Sequence, residues 1–302
     1  MSIESMYTAV SSLQAHQQYL SVVANNLANV DTIGFKDSRV LFSDAISQTL
    51  QQPTASSGLN PGGNGAQIGL GVGLSSITPL FTQGSLMSTG VPTDLAISGK
   101  GFFVVKDPTV APAATYYTRA GALNLQNSSV AGIQGYLVTP TGQRVQGAVI
   151  TAPATAAANG AALSDVSIPT TAGGPPALNV TDYNIDSSGR VNLLLSDGSN
   201  VPWMQIGLQN FQNPEALLKV GQNLYQSSLA SGALFTGGGT DVFQTPGTAG
   251  TGNLRSGYLE QSNVDLGTEF SNMIQAERGL QASARVITTS DEVMQELINL
   301  KH

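Results

Sequence analysis

The sequence predicts a mainly β protein with α-helices at both termini. The terminal helices pair as a coiled coil, and a discontinuous β domain lies between them. Three observations carry this expectation. Apolar residues recur at four- and three-residue steps at both ends of the chain. Short β-branched and aromatic runs broken by turn residues fill most of the middle. Charged residues make up 10% of the 302, against about 25% in an ordinary soluble domain, and 34 residues are glycine.

The first helix is expected over 2–29. Its seam runs Met6, Val10, Leu13, Gln17, Leu20, Ala24, Leu27, with Gln17 as a polar break. Glu4 is the one charge between Ser2 and Val30, and Ile3, Tyr7, Val22 and Val23 lie off the seam. A solvated helix carries charge on its outer face. This helix is therefore expected to have neighbours on more than one side, which points to an assembly. The last helix is expected over 265–300, with a seam of Leu266, Phe270, Met273, Glu277, Leu280, Ala284, Ile287, Asp291, Met294 and Ile298. Asp265 suits the N-cap, and Glu269 in the first turn suits the helix dipole. Arg278, Arg285, Glu292 and Glu296 give this helix a wet face. The other reading of the two ends is a pair of unrelated amphipathic helices packed on a β core.

Residues 31–75 read as an extended connector. Its stretch from Gln51 to Gly73 is uncharged and rich in Gly, Ser and Asn, so it is either flexible or ordered by contacts alone. The β domain is expected over 76–144 and 181–255. Leu95-Ala96-Ile97 and Phe102-Phe103-Val104-Val105 flank Ser98-Gly99-Lys100-Gly101, a hairpin signal. Residues 145–180 are poor in large apolar side chains and read as a short insertion. Strands resume at Tyr183-Asn184-Ile185, Val191 to Leu195 and Met204 to Leu208.

The composition argues against several chemistries. A net charge of −7 disfavours nucleic acid, whose phosphates need a basic face. With no Cys and only His16 and His302, the sequence offers no metal or cofactor constellation. No catalytic or phosphate-binding motif is present, so no enzyme activity is expected. His16 reads as a surface or interface histidine, Trp203 as core, and Glu292 with Glu296 as a solvated face. No apolar run approaches the roughly 18 residues of a membrane span, so no membrane insertion is expected. The first twenty residues lack a basic n-region, so no cleaved signal peptide is expected.

The ends carry a resemblance. The first helix runs into Ala24-Asn25-Asn26-Leu27-Ala28-Asn29-Val30 and Thr32-Ile33-Gly34-Phe35-Lys36. The last begins Glu260-Gln261-Ser262-Asn263-Val264-Asp265-Leu266 and continues Met273-Ile274-Gln275-Ala276-Glu277-Arg278. Together these resemble the terminal motifs of bacterial flagellar rod and hook proteins. Gln67 to Val72, Phe81 to Leu86, Asp94 to Phe103 and Tyr117 to Gly121 match the same family in order. Two positions depart from its usual pattern, Ala120 and Glu277.

The resemblance implies a structural subunit that polymerises with itself into a helical tube. The terminal helices would form the inner tube around an export channel. Met6, Val10, Leu13, Leu20, Leu27, Phe270, Met273, Leu280, Ile287 and Met294 would be the assembly seam. Asn25, Asn26, Leu27, Asn29, Gly34, Phe35, Ser262, Asn263, Val264 and Asp265 would be the family motif positions. Implied partners are rod, hook-cap and hook–filament junction proteins and the type III export apparatus. The implied location is the hook or basal body, outside the cell after export. Within the family, Phe81 to Leu86, Asn210 to Leu217 and Val220 to Tyr225 favour the hook, a flexible curved joint that transmits torque. The distal rod is the alternative, since the 145–180 stretch leaves the outer domain reduced or absent. A cell-surface adhesin is the alternative from a different class.

Overall fold

The computed structural model describes residues 3–55, 58, 62–109, 114–150, 157, 162–172, 178–232, 244–248 and 250–300. His302 and parts of the 51–73 and 145–180 stretches lie outside them. The chain divides into two compact units. One comprises Met1–Asn29, Asp37–Leu80 and Val264–His302, and the other Val30–Lys36 and Phe81–Asn263.

In the first unit the helices form where the periodicity places them, as α1 (Ile3–Ala28) and α2 (Leu266–Asn299). Asp265 is the N-cap of α2, and its carboxylate accepts the Thr268 N–H at 2.8 Å. The helices pack side by side and antiparallel. Ser12 meets Ser283, His16 meets Gly279, and Asn26 meets Glu269. From Ser12 to His16 the first helix advances four positions while the second retreats four, so the register is regular.

The face that makes this contact differs from the expected one. The most buried positions are Ala9, Ala15, Val23 and Asn26 on α1 and Glu269, Ala276, Ser283 and Ser290 on α2. Much of this stripe, with Gly279, lies one position N-terminal to the predicted seam on each helix. Small side chains let the two backbones approach, whereas a heptad count scores only the large apolar residues beside them. Val10, Leu266, Phe270 and Met294 are consequently exposed in the single chain.

Within the expected connector, described residues from Ser38 onward form a two-stranded ribbon. Ser38–Asp44 pairs antiparallel with Val72–Pro79, and Ser47–Gln51 pairs with Ala66–Gly69. The bonds Ala45 N–H to Gly71 O and Leu70 N–H to Ile46 O join the two pairs into one ribbon. Its base packs on α1, where the Phe42 ring lies 5.8 Å from His16 and 5.6 Å from Tyr19. Its outer part is exposed along both strands, including Ile46 at 81%.

In the second unit the main sheet follows the strands Leu178–Ile185, Arg190–Leu195, Asn200–Ile206, Arg144–Val149, Phe102–Lys106, Thr115–Thr118, Leu224–Gln226 and Leu218–Gly221. Phe102–Lys106 is central because both of its faces are apolar. Phe103 and Val105 enter one core cluster with Val145, Leu193 and Ile206. Phe102 and Val104 enter another with Tyr117, Phe211 and Tyr225. An unbroken apolar run is the sequence form of a strand buried on both sides. Trp203 packs against the first cluster and donates its indole N–H to Ser167 O at 3.0 Å.

The predicted hairpin across Ser98–Gly101 does not form. Leu95–Ser98 pairs with Asn253–Ser256, while Phe102–Lys106 is flanked by Thr115–Thr118 on one side and by Arg144–Val149 and Leu208–Gln209 on the other. With both edges of the central strand occupied, the preceding segment must join a different pair. The 145–180 stretch carries strand residues at Ser164–Asp165, Ser167–Pro169 and Thr171–Ala172, and these join the main sheet system.

Candidate functional site

Each unit holds one polar cluster built on the terminal motifs. In the first unit the hub is Asn26, buried near the end of α1. Its Nδ2 donates to Asp37 Oδ1 at 2.5 Å, Ser38 O at 3.0 Å and Glu269 Oε2 at 3.3 Å. Its Oδ1 accepts the Ser38 N–H at 3.2 Å. One amide thus ties α1 to the start of the ribbon and to the first turn of α2. A carboxylate could not replace it, because the site offers two acceptor carboxylates and needs a donor. Glu269 is buried and also accepts from Asn272 at 3.1 Å. Burial, followed by repulsion from Glu269, pushes the Asp37 carboxyl above its usual range. Burial and the same two carboxylates raise the Tyr19 phenol. These groups line a cavity of about 230 Å³.

The rest of the first motif falls into place around this hub. Asn29 donates its side-chain amide to Asn25 O at 2.8 Å, closing an open carbonyl at the helix end. Asn25 is exposed and Leu27 half-buried.

In the second unit the segment 30–36 folds onto a buried ion cluster. Lys36 and Glu260 have no side-chain exposure, and their Nζ and Oε1 are 2.6 Å apart. Arg119, 3% exposed, places Nη1 3.3 Å from Glu260 Oε2. Lys36 also donates to Thr82 O at 2.7 Å, and Gly84 N–H donates to Glu260 Oε1 at 3.0 Å. Burial lowers the Lys36 ammonium, and the ion pair with Glu260 opposes that shift. Burial likewise lowers Arg119. The Tyr225 phenol is pushed up to about 12 by burial, against the opposing pull of Arg119.

Gly34 lies over this cluster with φ +69°, and a Cβ there would meet Ala120 N at 2.6 Å. Only glycine meets both conditions. The Phe35 ring is buried, with the Lys219 ammonium 4.1 Å from its centroid. Asn223, held at φ +58° in a tight hairpin turn, donates to Ile33 O at 2.9 Å. Of the second motif, Ser262 is half-buried and Asn263 donates to Thr82 Oγ1 at 2.7 Å. Val264 is half-buried, and Asp265 is the N-cap already described.

The ten seam positions do not converge on one contact. Val10, Phe270 and Met294 are exposed; Met6, Leu13, Leu20, Leu27, Met273, Leu280 and Ile287 are half-buried beside the helix pair. The residues that anchor both clusters, Lys36, Asp37, Arg119, Glu260 and Glu269, were absent from the expected site. A usable signal existed: in a chain with 10% charge, ionic residues inside or beside motifs are conspicuous.

Three family profiles match the chain. "Flagella basal body rod protein" covers residues 6–36. "Flagellar hook protein FlgE/F/G D1 domain" covers residues 96–193, and "Flagellar basal body rod FlgEFG protein C-terminal" covers residues 255–300. The flagellar basal-body rod protein FlgG of Bacillus subtilis is 39% identical over 299 residues, spanning 99% of each chain. The FlgG of Caulobacter vibrioides is 33% identical over 305 residues, 99% of this chain and 100% of the relative. The flagellar hook protein FlgE of Borreliella burgdorferi is 27% identical over 453 aligned positions, 99% of this chain and 100% of the relative. No helix among the described residues is long and apolar enough to cross a membrane.

Proposed function

The chain belongs to the family of flagellar basal-body rod and hook proteins, and on that premise we propose that it is the subunit of the distal rod, a straight drive shaft. The observation that carries this reading is length. Relatives named as basal-body rod proteins align end to end with this chain. The hook relative needs 453 aligned positions against 302 residues, so about a third of that alignment has no counterpart here. Length favours the rod over the hook reading drawn from Phe81 to Leu86, Asn210 to Leu217 and Val220 to Tyr225.

The mechanism follows from the helix pair. An open helical polymer needs heterologous contacts, in which one face of a copy meets a different face of the next. The two helices already satisfy one another through small and polar residues. That leaves Val10, Phe270 and Met294 outward, where neighbouring copies would bury them. Burying a side chain of this size is worth roughly 1.5–3 kcal/mol, repeated at every copy along the tube. Torque then passes through many such contacts in parallel. Rod, hook-cap and junction proteins would meet the ends of this polymer, and the type III apparatus would deliver the chain.

Polymerisation of the purified chain followed by electron microscopy tests the choice between shaft and joint. Straight tubes are the expected product. Curved or supercoiled tubes would return the assignment to the hook.

A further inference from the structure

We infer that the cavity beside Arg119 is a socket for a carboxylate side chain from a second copy of this chain. The cavity, about 220 Å³, lies in the second unit and is lined by Lys100, Phe102, Arg119, Asn210, Phe211 and Gln212 among others. Only the source of the carboxylate rests on the polymeric reading above.

Three observations make the cavity short of negative charge. The buried cluster behind it sets two cations, Lys36 and Arg119, against the single carboxylate of Glu260. Arg119 borders the cavity, is 3% exposed, and its ion-pair contact among the described residues is Nη1 to Glu260 Oε2 at 3.3 Å. Lys100, exposed beside it, has no ion-pair partner among the described residues.

The walls suit the same ligand. Phe102 and Phe211 pack edge to face at 5.8 Å, and the Arg119 guanidinium lies 5.3 Å from the Phe102 ring centroid. Apolar walls exclude water and strengthen a charge-assisted hydrogen bond. A carboxylate entering here would lie against the Arg119 guanidinium and face the Lys100 ammonium.

Charge balance points to a second copy as the source. The chain carries 19 acidic residues against 12 basic ones. Several carboxylates, including Asp182 and Asp197, stand exposed on the second unit. A socket on one face and a carboxylate on another form the kind of unlike pair that an open helix requires.

The test uses the full chain below its polymerisation threshold, with N-acetylaspartate as the probe and N-acetylasparagine as the control. The amides of Gly101 and Gln212 should shift saturably with the acid, with a Kd of about 1–10 mM, and not with the amide. Lys100→Glu should weaken that binding about fivefold or more, equivalent to roughly 1 kcal/mol. Gln212→Trp, which fills the cavity, and Lys100→Glu should both raise the critical concentration for polymerisation without moving the unfolding midpoint. No saturable shift at ~100 mM probe, far above the affinity expected for such a site, overturns the socket. Binding with an unchanged critical concentration overturns the second copy as occupant. Neither readout depends on whether the polymer is straight, so a failure of the rod assignment is seen separately.

Discussion

Gly279 of the last helix lies against the imidazole of His16, so that a methyl group in its place would come within 2.6 Å of Cε1. In an exposed helix, Gly to Ala gains about 1 kcal/mol. Here the sign reverses, because the added carbon meets a ring already packed between two helices and Phe42. Gly279→Ala should destabilise the chain by about 1–2 kcal/mol in urea unfolding. His16→Ala with Gly279→Ala should recover most of that loss. Recovery by the double variant separates steric crowding from a general effect on the helix.

The ion cluster makes a sharper prediction. Glu260→Gln leaves Lys36 and Arg119 buried without a counter-charge. Breaking a buried pair in this way costs about 3–5 kcal/mol. Lys36→Met should cost less, because Arg119 and Glu260 remain as a neutral pair. Urea unfolding of the two variants gives the order directly.

Gly34→Ala should cost at least about 2 kcal/mol, since a left-handed alanine is strained before any contact is counted. The clashing atom is the backbone nitrogen of Ala120, so no side-chain movement relieves it. Thermal unfolding measures the loss, and a compensating substitution at Ala120 should not restore it.

How far these residues were legible in the sequence depended on range. The helix limits, the Asp265 cap and the doubly buried run Phe102 to Val105 are local patterns, and the structure contains each of them. The stripe between the helices is hard to read because Ala9, Ser12, Ala276, Gly279 and Ser283 are small, and a heptad pattern of Leu and Met passes over them. The ribbon pairs Ser38 with Pro79 across a span that includes the uncharged stretch Gln51 to Gly73, and local composition gives no sign of that pairing. The hairpin signal at Ser98–Gly101 was locally sound but lost to strands arriving from positions 115, 144 and 253. Lys36, Arg119 and Glu260 are far apart in sequence, so their union is visible only in the fold.

Asp37 gives the first unit a pH dependence of defined sign. Its folded pKa is raised by burial and by Glu269, above the 3.8 of an ordinary aspartate. Its stabilising contribution is therefore complete below the unfolded pKa and is lost as pH rises through the folded value. Asp37→Asn keeps an acceptor for Asn26 and removes the repulsion. The variant should gain stability over the parent at neutral pH, and the difference should shrink as pH falls toward the carboxylate range. Urea unfolding of both chains across that range checks it.

Phe270 is 51% exposed on the single chain. Phe270→Asp should therefore leave monomer stability within about 0.5 kcal/mol of the parent. It should nonetheless abolish polymerisation, since the charge would sit in the proposed contact between copies. Sedimentation of the variant above the parent's critical concentration gives the answer, and a normal yield of polymer would remove this residue from the contact.

Immunogold labelling of isolated hook–basal bodies with an antibody against this chain tests the rod assignment most directly. Label confined to the straight shaft below the hook is the predicted result. Label along the curved tube outside the cell would contradict the rod assignment and make this chain a hook subunit.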